Sequence, residues 1–451
     1  MPRTAKKTGA GGGGLASLMK TLQESVNNDD VIVSTASKMY DEQTWIPFID
    51  PMSGDPCLAL SYLVGCKGIP VGRIAQLRAS FSAGKSSFLY YIYACATRGR
   101  TEDDQKAWIG HIETEGAPNP PDYISRFGLD PNAFLYMSAN SLGAVFQTLD
   151  MFICGVRGGF GGSVGDTGRV RKTTYTDPID PTNKYPIILG VDSFSALGDK
   201  REASQDVLDI SNAGAMAYIS RELRRYLRDR QQRFARCNAT LFVTSLETAK
   251  VATGPMHYGG PQKSALGQEA LAGAMSFGFD VSDRPWKVAG DTMGSIQSLK
   301  TFKNKFAPRY RTAEMFRKDL GGYNIVETDV NFLLTHPGSP FAAGNVCNKD
   351  GGRALYRDAG GIHCPMLSDK GYRHPEDFLR AIYDNEDFLM TILEGMRVRG
   401  YGFDFETKDY SNQIEKQDDN LDKEELATEQ SERAEQSEQS EQSDEQEGDE
   451  E

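Results

Sequence analysis

Short apolar runs alternate with longer stretches of helical periodicity along most of this chain. Apolar runs of five or six residues read as buried strands, and apolar residues recurring every third or fourth position read as helices facing a core. On that basis strands are predicted at Arg73 to Leu77, Ala107 to Ile112, Phe134 to Met137, Ile187 to Asp192 and Thr240 to Ser245. Helices are predicted from Ser86 to Ala96, Leu142 to Cys154 and Gly214 to Arg230. Val281, Val288, Ile296 and Leu299 fall in further strand candidates, which end at Lys303-Asn304-Lys305. Near the start, Leu15, Leu18, Met19, Leu22 and Val26 share one helical face, which either packs on its own domain or docks on a neighbouring subunit. The alternation predicts an α/β fold.

Several stretches break the rhythm. Residues 157–186 combine a glycine cluster, the basic group Arg169, Arg171 and Lys172, and a Pro/Asp-rich segment, which reads as a solvated insertion or a DNA-contacting one. Thr248 to Gln268 is glycine-rich and carries Lys250, Met256, His257, Tyr258 and Lys263, the composition of a flexible loop that orders on a single nucleic-acid strand. From about Asn331 a Gly/Pro-rich stretch leads to a helical pair, Pro375 to Ile382 and Asp387 to Met396. The expected organisation is an N-terminal tail and helix over 1–46, a core over 47–330, a small C-terminal α+β domain over 331–410, and a disordered tail over 411–451.

Charge changes this picture in one respect. The net charge is −13, but from Glu415 onward there are seventeen acidic and three basic residues, a net of −14. Subtraction leaves about +1 for everything before the tail, so the folded part is near neutral and its basic residues can cluster. Arg221, Arg224, Arg225 and Arg228 do so on the helix before Arg230, as a solvated face or an anion-facing one. The seven cysteines form no C-x-x-C pair, which suits a reducing compartment. His336, His363-Cys364 and His374 lack a second pair at ligand spacing and read as ordinary structural residues. No apolar run is long enough for a membrane span and no secretory signal precedes the core, so a cytoplasmic, DNA-associated location is expected.

The candidate chemistry starts at Ala79-Ser80-Phe81-Ser82-Ala83-Gly84-Lys85-Ser86, of the form A-x-x-x-x-G-K-S, with Ser87 next. A predicted strand before it and a predicted helix after it are the setting of a phosphate-binding loop. Its backbone N–H groups would point at an anion, Lys85 would meet the outer phosphates, and the Ser86 hydroxyl would ligate magnesium. The strand at Ile112 ends in Glu113-Thr114-Glu115-Gly116, two carboxylates at a strand tip, where α/β sheets place ligand chemistry. The apolar run at Ile187 delivers Asp192, which can hold magnesium through water.

These features, in this order, resemble the RecA family of strand-exchange recombinases. Gly68-Ile69-Pro70-Val71-Gly72-Arg73-Ile74 is similar to the family's G-[LI]-P-x-G-R-I lead-in, and Ile112-Glu113-Thr114-Glu115-Gly116 to the I-D-T-E-G of its eukaryotic and archaeal branch. Phe302-Lys303-Asn304-Lys305-Phe306-Ala307-Pro308 resembles V-K-N-K-x-A-x-P, with the proline one place early. The resemblance implies a RecA-like ATPase core with a mostly parallel central sheet. It implies Glu115 as catalytic base, Asp192 with a cis Asp–Ser peptide, and Tyr123 near the adenine. Lys303 and Lys305 would reach the nucleotide of the neighbouring subunit. Asp199 to Asn212, with Lys200 and Arg201, falls where the first DNA-binding loop lies, and Thr248 to Gln268 where the second does; Arg225 joins this basic surface. Three departures suggest a divergent member, of bacteriophage type, the first being Ala79 at the start of the loop, which the broader motif allows. Ser245 stands where the family has a glutamine that senses the γ-phosphate, with Glu247 as a substitute, and the 157–186 insertion has no counterpart.

The implied function is an ATP- and magnesium-dependent DNA strand-exchange recombinase. It would form homo-oligomeric helical filaments on single-stranded DNA, pair them with double-stranded DNA, and work with single-strand-binding or loader proteins. The rivals are an ATP-binding accessory paralogue without strand exchange, which the missing glutamine supports, and a ring helicase of the same core fold.

Overall fold

The computed structural model describes residues 43–66, 68–97, 107–116, 118–157, 185–197, 212–249, 263–265, 268–341, 355–368 and 370–397. The chain divides after Thr44, and the elements below belong to the unit that follows. Its first part runs β1 (Trp45–Ile46), α1 (Leu58–Val64), β2 (Ile69–Pro70), β3 (Ile74–Ala79), α2 (Lys85–Thr97), β4 (Trp108–Glu113), α3 (Pro121–Ser125), β5 (Leu135–Ser138), α4 (Leu142–Arg157) and β6 (Ile187–Asp192). It continues with α5 (Asn212–Arg236), β7 (Ala239–Ala249), β8 (Lys263–Ala265), α6 (Gln268–Ala274), β9 (Phe277–Val288), β10 (Asp291–Asn304), β11 (Thr312–Lys318), β12 (Tyr323–Asn324) and α7 (Ile325–Thr335). The hairpin of β13 (Tyr356–Asp358) and β14 (Gly361–His363), then α8 (Pro375–Tyr383) and α9 (Glu386–Gly395), complete the described elements.

The fold is α/β with a mostly parallel central sheet, in the order β12-β11-β10-β9-β3-β7-β6-β4-β5. From β9 to β5 every pairing is parallel. Beyond β9 the sheet turns antiparallel through β10, β11 and β12. Every residue of β6 is buried, as expected for a strand covered on both faces. On one face lies α2, and its approach depends on Gly190 in β6, where a Cβ would sit 1.8 Å from the Tyr93 hydroxyl. On the other face α4, α5 and α6 press Leu149, Phe152, Leu223, Leu227 and Leu271 onto Leu189, Val191, Leu241 and Val243. Among the described residues no helix is long and apolar enough to cross a membrane.

A long-range tie secures α1, which precedes the central strand. The Asp329 carboxylate on α7 accepts the backbone N–H groups of Leu58 and Ala59, both at 2.9 Å, satisfying donors that a helix start leaves open. The Tyr383 hydroxyl of α8 donates to the same carboxylate at 3.2 Å. Complete burial pushes Asp329 up to about 7, against the lowering effect of these hydrogen bonds.

Most predicted elements are present, with shifted ends. The helix expected over Gly214 to Arg230 runs from Asn212 to Arg236. The strand expected to stop at Ser245 continues to Ala249, and β8 pairs back onto it from Lys263 to Ala265. Within the segment read as one long flexible loop, Thr248 and Ala249 therefore pair with Ser264 and Lys263, and Gln268 opens α6, while residues 250–262 lie outside the described residues. The cause is that a strand leaving the sheet keeps its backbone groups paired by recruiting its own return segment. His336 stacks on Phe332, and His363 stacks on Tyr356 and bonds Asp358, ordinary packing roles.

Candidate functional site

The loop from Ser80 to Gly84 leaves the carboxyl end of β3 and feeds straight into α2. Two residues make the turn by adopting the left-handed region, Ser82 at φ 59° and Gly84 at φ 80°. A side chain at Gly84 would also collide, since its Cβ would lie 2.5 Å from Gln297 Nε2. That amide explains how the loop is held. Gln297, fully buried on β10, donates from Nε2 to the carbonyls of Ala83 at 2.7 Å and Gly84 at 2.9 Å. The Tyr323 hydroxyl in turn donates to its Oε1. In a trans peptide the N–H points opposite to the C=O, so the N–H groups of Gly84 and Lys85 face away from Gln297. They add to the open donors at the start of a 13-residue helix, an arrangement suited to an anion.

Around that end four of the residues singled out from sequence converge. The Ser86 hydroxyl donates to Asp192 across 106 positions. Thr244 donates to the other oxygen of Asp192. The Asp192–Ser193 peptide is cis, as the resemblance implied. The Ser193 hydroxyl donates to Glu115 Oε1 at 2.8 Å, while Thr114 bonds the Ser193 backbone on both sides. Lys85 Nζ donates to the Ser80 carbonyl at 3.1 Å. Burial lowers the Lys85 pKa, opposed by the carboxylates of Asp192 and Glu115. Lys85, Ser86, Glu115, Asp192 and Ser193 line a cavity of about 500 Å³, a size that suits a nucleotide. Ser86 and Asp192 offer hydroxyl and carboxylate oxygens, the donor set of a magnesium ion.

The two strand-tip carboxylates differ in state. Glu115 is exposed and faces the cavity. Glu113 is buried and committed, accepting the Glu115 backbone N–H at 2.6 Å and the Tyr136 hydroxyl at 3.1 Å. Burial raises its pKa, but His111, the Glu115 amide and Tyr136 together outweigh burial and hold it below the usual carboxylate range. Glu113 thus fixes the backbone from which Glu115 projects. Tyr123 forms a cavity wall, its hydroxyl 2.6 Å from Ser87 Oγ and its ring edge-on to Phe127.

Other expected residues lie elsewhere. Lys303 pairs with Gly278, level with Gln76 of β3, so Lys303 and Lys305 sit toward the amino ends of the parallel strands and do not line this cavity. The Lys303 ammonium contacts the Ala272 carbonyl, and burial followed by the charge of Lys305 lowers its pKa. Asn304 between them is buried and structural, bonding the Val64 carbonyl and capping the turn at Phe306 and Ala307. Along β7 the alternation of side chains sends Thr244 and Leu246 to the cavity side and Ser245 and Glu247 to the other face. Ser245 accepts from Gln76 at 3.0 Å, and Glu247 pairs with Arg78 at 3.3 Å. Neither reaches the site. Arg221, Arg224, Arg225 and Arg228 hold exposed positions on α5, and Lys263 lies on β8. Lys200, Arg201, Lys250, Met256, His257 and Tyr258 lie outside the described residues.

Sequence reasoning missed Gln297, Leu246, Asn119 and Arg317. A lone glutamine between Ile296 and Leu299 was a usable signal, because a buried polar group needs partners. Arg317 offered none, since its strand was not predicted.

No family model matches the chain. Among curated proteins it is similar to protein RecA of Arthrobacter sp. (strain FB24), 25% identical over 258 residues, covering 57% of this chain and 61% of that protein. It is likewise similar to protein RecA of Clostridium beijerinckii, 27% identical over 297 residues, covering 64% of this chain and 70% of that one. The chain spans about three fifths of the length of the RecA proteins it matches first. These distant, partial matches support a RecA-family relationship.

Proposed function

We propose that this chain is a DNA-dependent ATPase that forms filaments on single-stranded DNA and exchanges strands with a homologous duplex. The observation that carries the proposal is the joining of Ser86 to Asp192, with Glu115 bonded to the adjacent Ser193. Three motifs far apart in sequence thereby meet at one helix end, which is the arrangement phosphoryl transfer to water requires. In this reading the loop N–H groups and Lys85 bind the phosphates. Glu115 orients the attacking water and accepts its proton. A magnesium ion held by Ser86, and through water by Asp192, neutralises charge on the outer phosphates when bound.

Lys303 and Lys305 act in a different place. They lie far down the sheet from their own chain's loop, so they serve the nucleotide of an adjoining subunit, and hydrolysis is slow until a filament assembles. DNA is gripped mainly through its backbone by the segments around 199–212 and 248–268, which makes binding salt-sensitive and weakly sequence-selective.

One observation favours a second reading. Ser245, at the position of the family's γ-phosphate sensor, is turned onto Gln76, and the β7 residue that lines the cavity, among those described, is the apolar Leu246. A nucleotide-binding accessory protein, which loads or regulates another recombinase without exchanging strands, needs no such sensor. ATP hydrolysis with and without single-stranded DNA, run beside a D-loop assay, separates the two. DNA-stimulated hydrolysis with strand invasion that Lys85→Ala abolishes supports the recombinase. DNA binding with no stimulated hydrolysis and no invasion favours the accessory.

A further inference from the structure

We propose that Arg317 is a nucleotide-binding residue of this cavity and seats the α-phosphate, an inference that rests on the nucleotide-hydrolysis reading above. Arg317 stands on β11, 230 positions from the residue it touches, and only 18% of its side chain is exposed. Its Nη1 donates to Ser87 Oγ at 3.0 Å and its Nε to Ser295 Oγ at 3.0 Å, while Nη2 is 3.7 Å from Asp283. These contacts occupy fewer than the five N–H donors that a guanidinium carries.

Position decides what the remaining capacity is for. The guanidinium is packed against the loop itself, since a Cβ on Gly84 would lie 2.7 Å from Nη1. That sets a fixed positive charge beside the start of α2, which is already the positive end of a helix. Two positive groups side by side favour an anion between them, and the Asp283 carboxylate that pairs with Nη2 at 3.7 Å is one-third exposed and does not line the cavity. The side of the cavity follows from the loop. Lys85 addresses the outer phosphates and the Ser86 hydroxyl the metal, so the wall beyond them, at Ser87, faces the inner phosphates. Ser87 is bonded to Arg317 and also to Tyr123, a cavity wall that the resemblance puts beside the base. Arg317 therefore sits between the base and the β-phosphate, where the α-phosphate lies. The α-phosphate is shared by the triphosphate and the diphosphate, so Arg317 should bind both alike.

The full-length chain with magnesium is titrated with fluorescent analogues of ATP and ADP, beside Arg317→Ala, Arg317→Lys and Lys85→Ala, with steady-state hydrolysis of ATP. Arg317→Ala should weaken ATP and ADP by a similar factor, about ten- to a hundredfold. Its loss should fall on KM more than on kcat, with partial recovery in Arg317→Lys. Lys85→Ala should weaken ATP more than ADP. Unchanged ADP affinity in Arg317→Ala, with ATP binding lost in Lys85→Ala, overturns the role of Arg317 and leaves the ATPase reading standing. Failure of the unmodified protein to bind either nucleotide overturns both. Should Arg317→Ala not fold, Arg317→Gln keeps a donor for Ser87 without the charge, and undiminished ADP binding there overturns the inference equally.

Discussion

The parallel strands β3, β4 and β6 meet the cavity with their carboxyl ends, through Lys85, Glu115 and Asp192, whereas the antiparallel strands β10 and β11 support its loop with side chains from along their length, Gln297 behind the loop and Arg317 at the cavity wall. A residue at a strand tip is placed by the few positions around it, and the backbone there is free to turn toward a ligand. A residue inside a strand is placed by register: Gln297 pairs with Met315 and Asp283, and a slip of one position would turn its amide to the opposite face. The parallel half thus supplies groups suited to chemistry, and the antiparallel half supplies the floor that holds them still.

The sharpest way to break this division is to exchange its predicted effects. Glu115→Gln should keep nucleotide binding and lower turnover by about a hundred- to ten-thousandfold, the usual weight of a general base. Single-turnover hydrolysis with saturating DNA measures it, and persistent turnover would move the base to Glu113. Lys85→Ala should cost about a hundred- to a thousandfold in turnover and weaken ATP binding as well, seen in the same assay.

Asp329 tests whether the far end of the chain supports the core before β3. Its folded-state pKa of about 7 lies above the ordinary carboxyl value, so the folded protein holds that proton more tightly than the unfolded chain does. The resulting stability is full below the unfolded pKa and is lost as the pH rises through about 7. Asp329→Asn removes this dependence. Urea unfolding of both proteins from pH 4 to pH 8 should therefore show the difference moving in the variant's favour by about 4 kcal/mol. A pH-independent difference would mean that the carboxylate is ionised at no cost.

Gln297→Leu gives the smallest expected effect and the finest discrimination. The Ala83 carbonyl and the Tyr323 hydroxyl lose this partner and the Gly84 carbonyl keeps only the Phe88 N–H, at a cost of about 1–3 kcal/mol in thermal or urea unfolding. If the antiparallel half is only a floor, KM should rise while DNA-saturated kcat changes by less than the parallel-strand variants change it. A collapse in kcat equal to that of Glu115→Gln would erase the distinction.

The same contrast governs what could be read from sequence. The buried strands of the parallel block announce themselves as unbroken apolar runs, and Ser86, Glu115 and Asp192 sit in short local motifs, so both were legible. What was illegible depends on pairing between distant segments. In β11 the order Thr312-Ala313-Glu314-Met315-Phe316-Arg317-Lys318 mixes buried and charged residues because one side of the strand faces solvent. Helix α1 is too brief to display a period, and its start is secured by an aspartate 271 positions away. The return of β8 onto β7 likewise follows from backbone pairing that no side-chain pattern encodes.

Gln297 also sits on the strand that ends in Lys303 and Asn304. The six steps from residue 297 to 303 span about 20 Å of extended chain, which resists stretching along its own axis. The only give is the irregularity in pairing between Thr301 and Lys303. A pull or push on the lysine end would therefore be delivered lengthwise to the floor of the Ser80–Gly84 loop. In the function proposed above, the strand would work as a push-rod between the place where a neighbour's nucleotide would be touched and the place where the chain's own would be held.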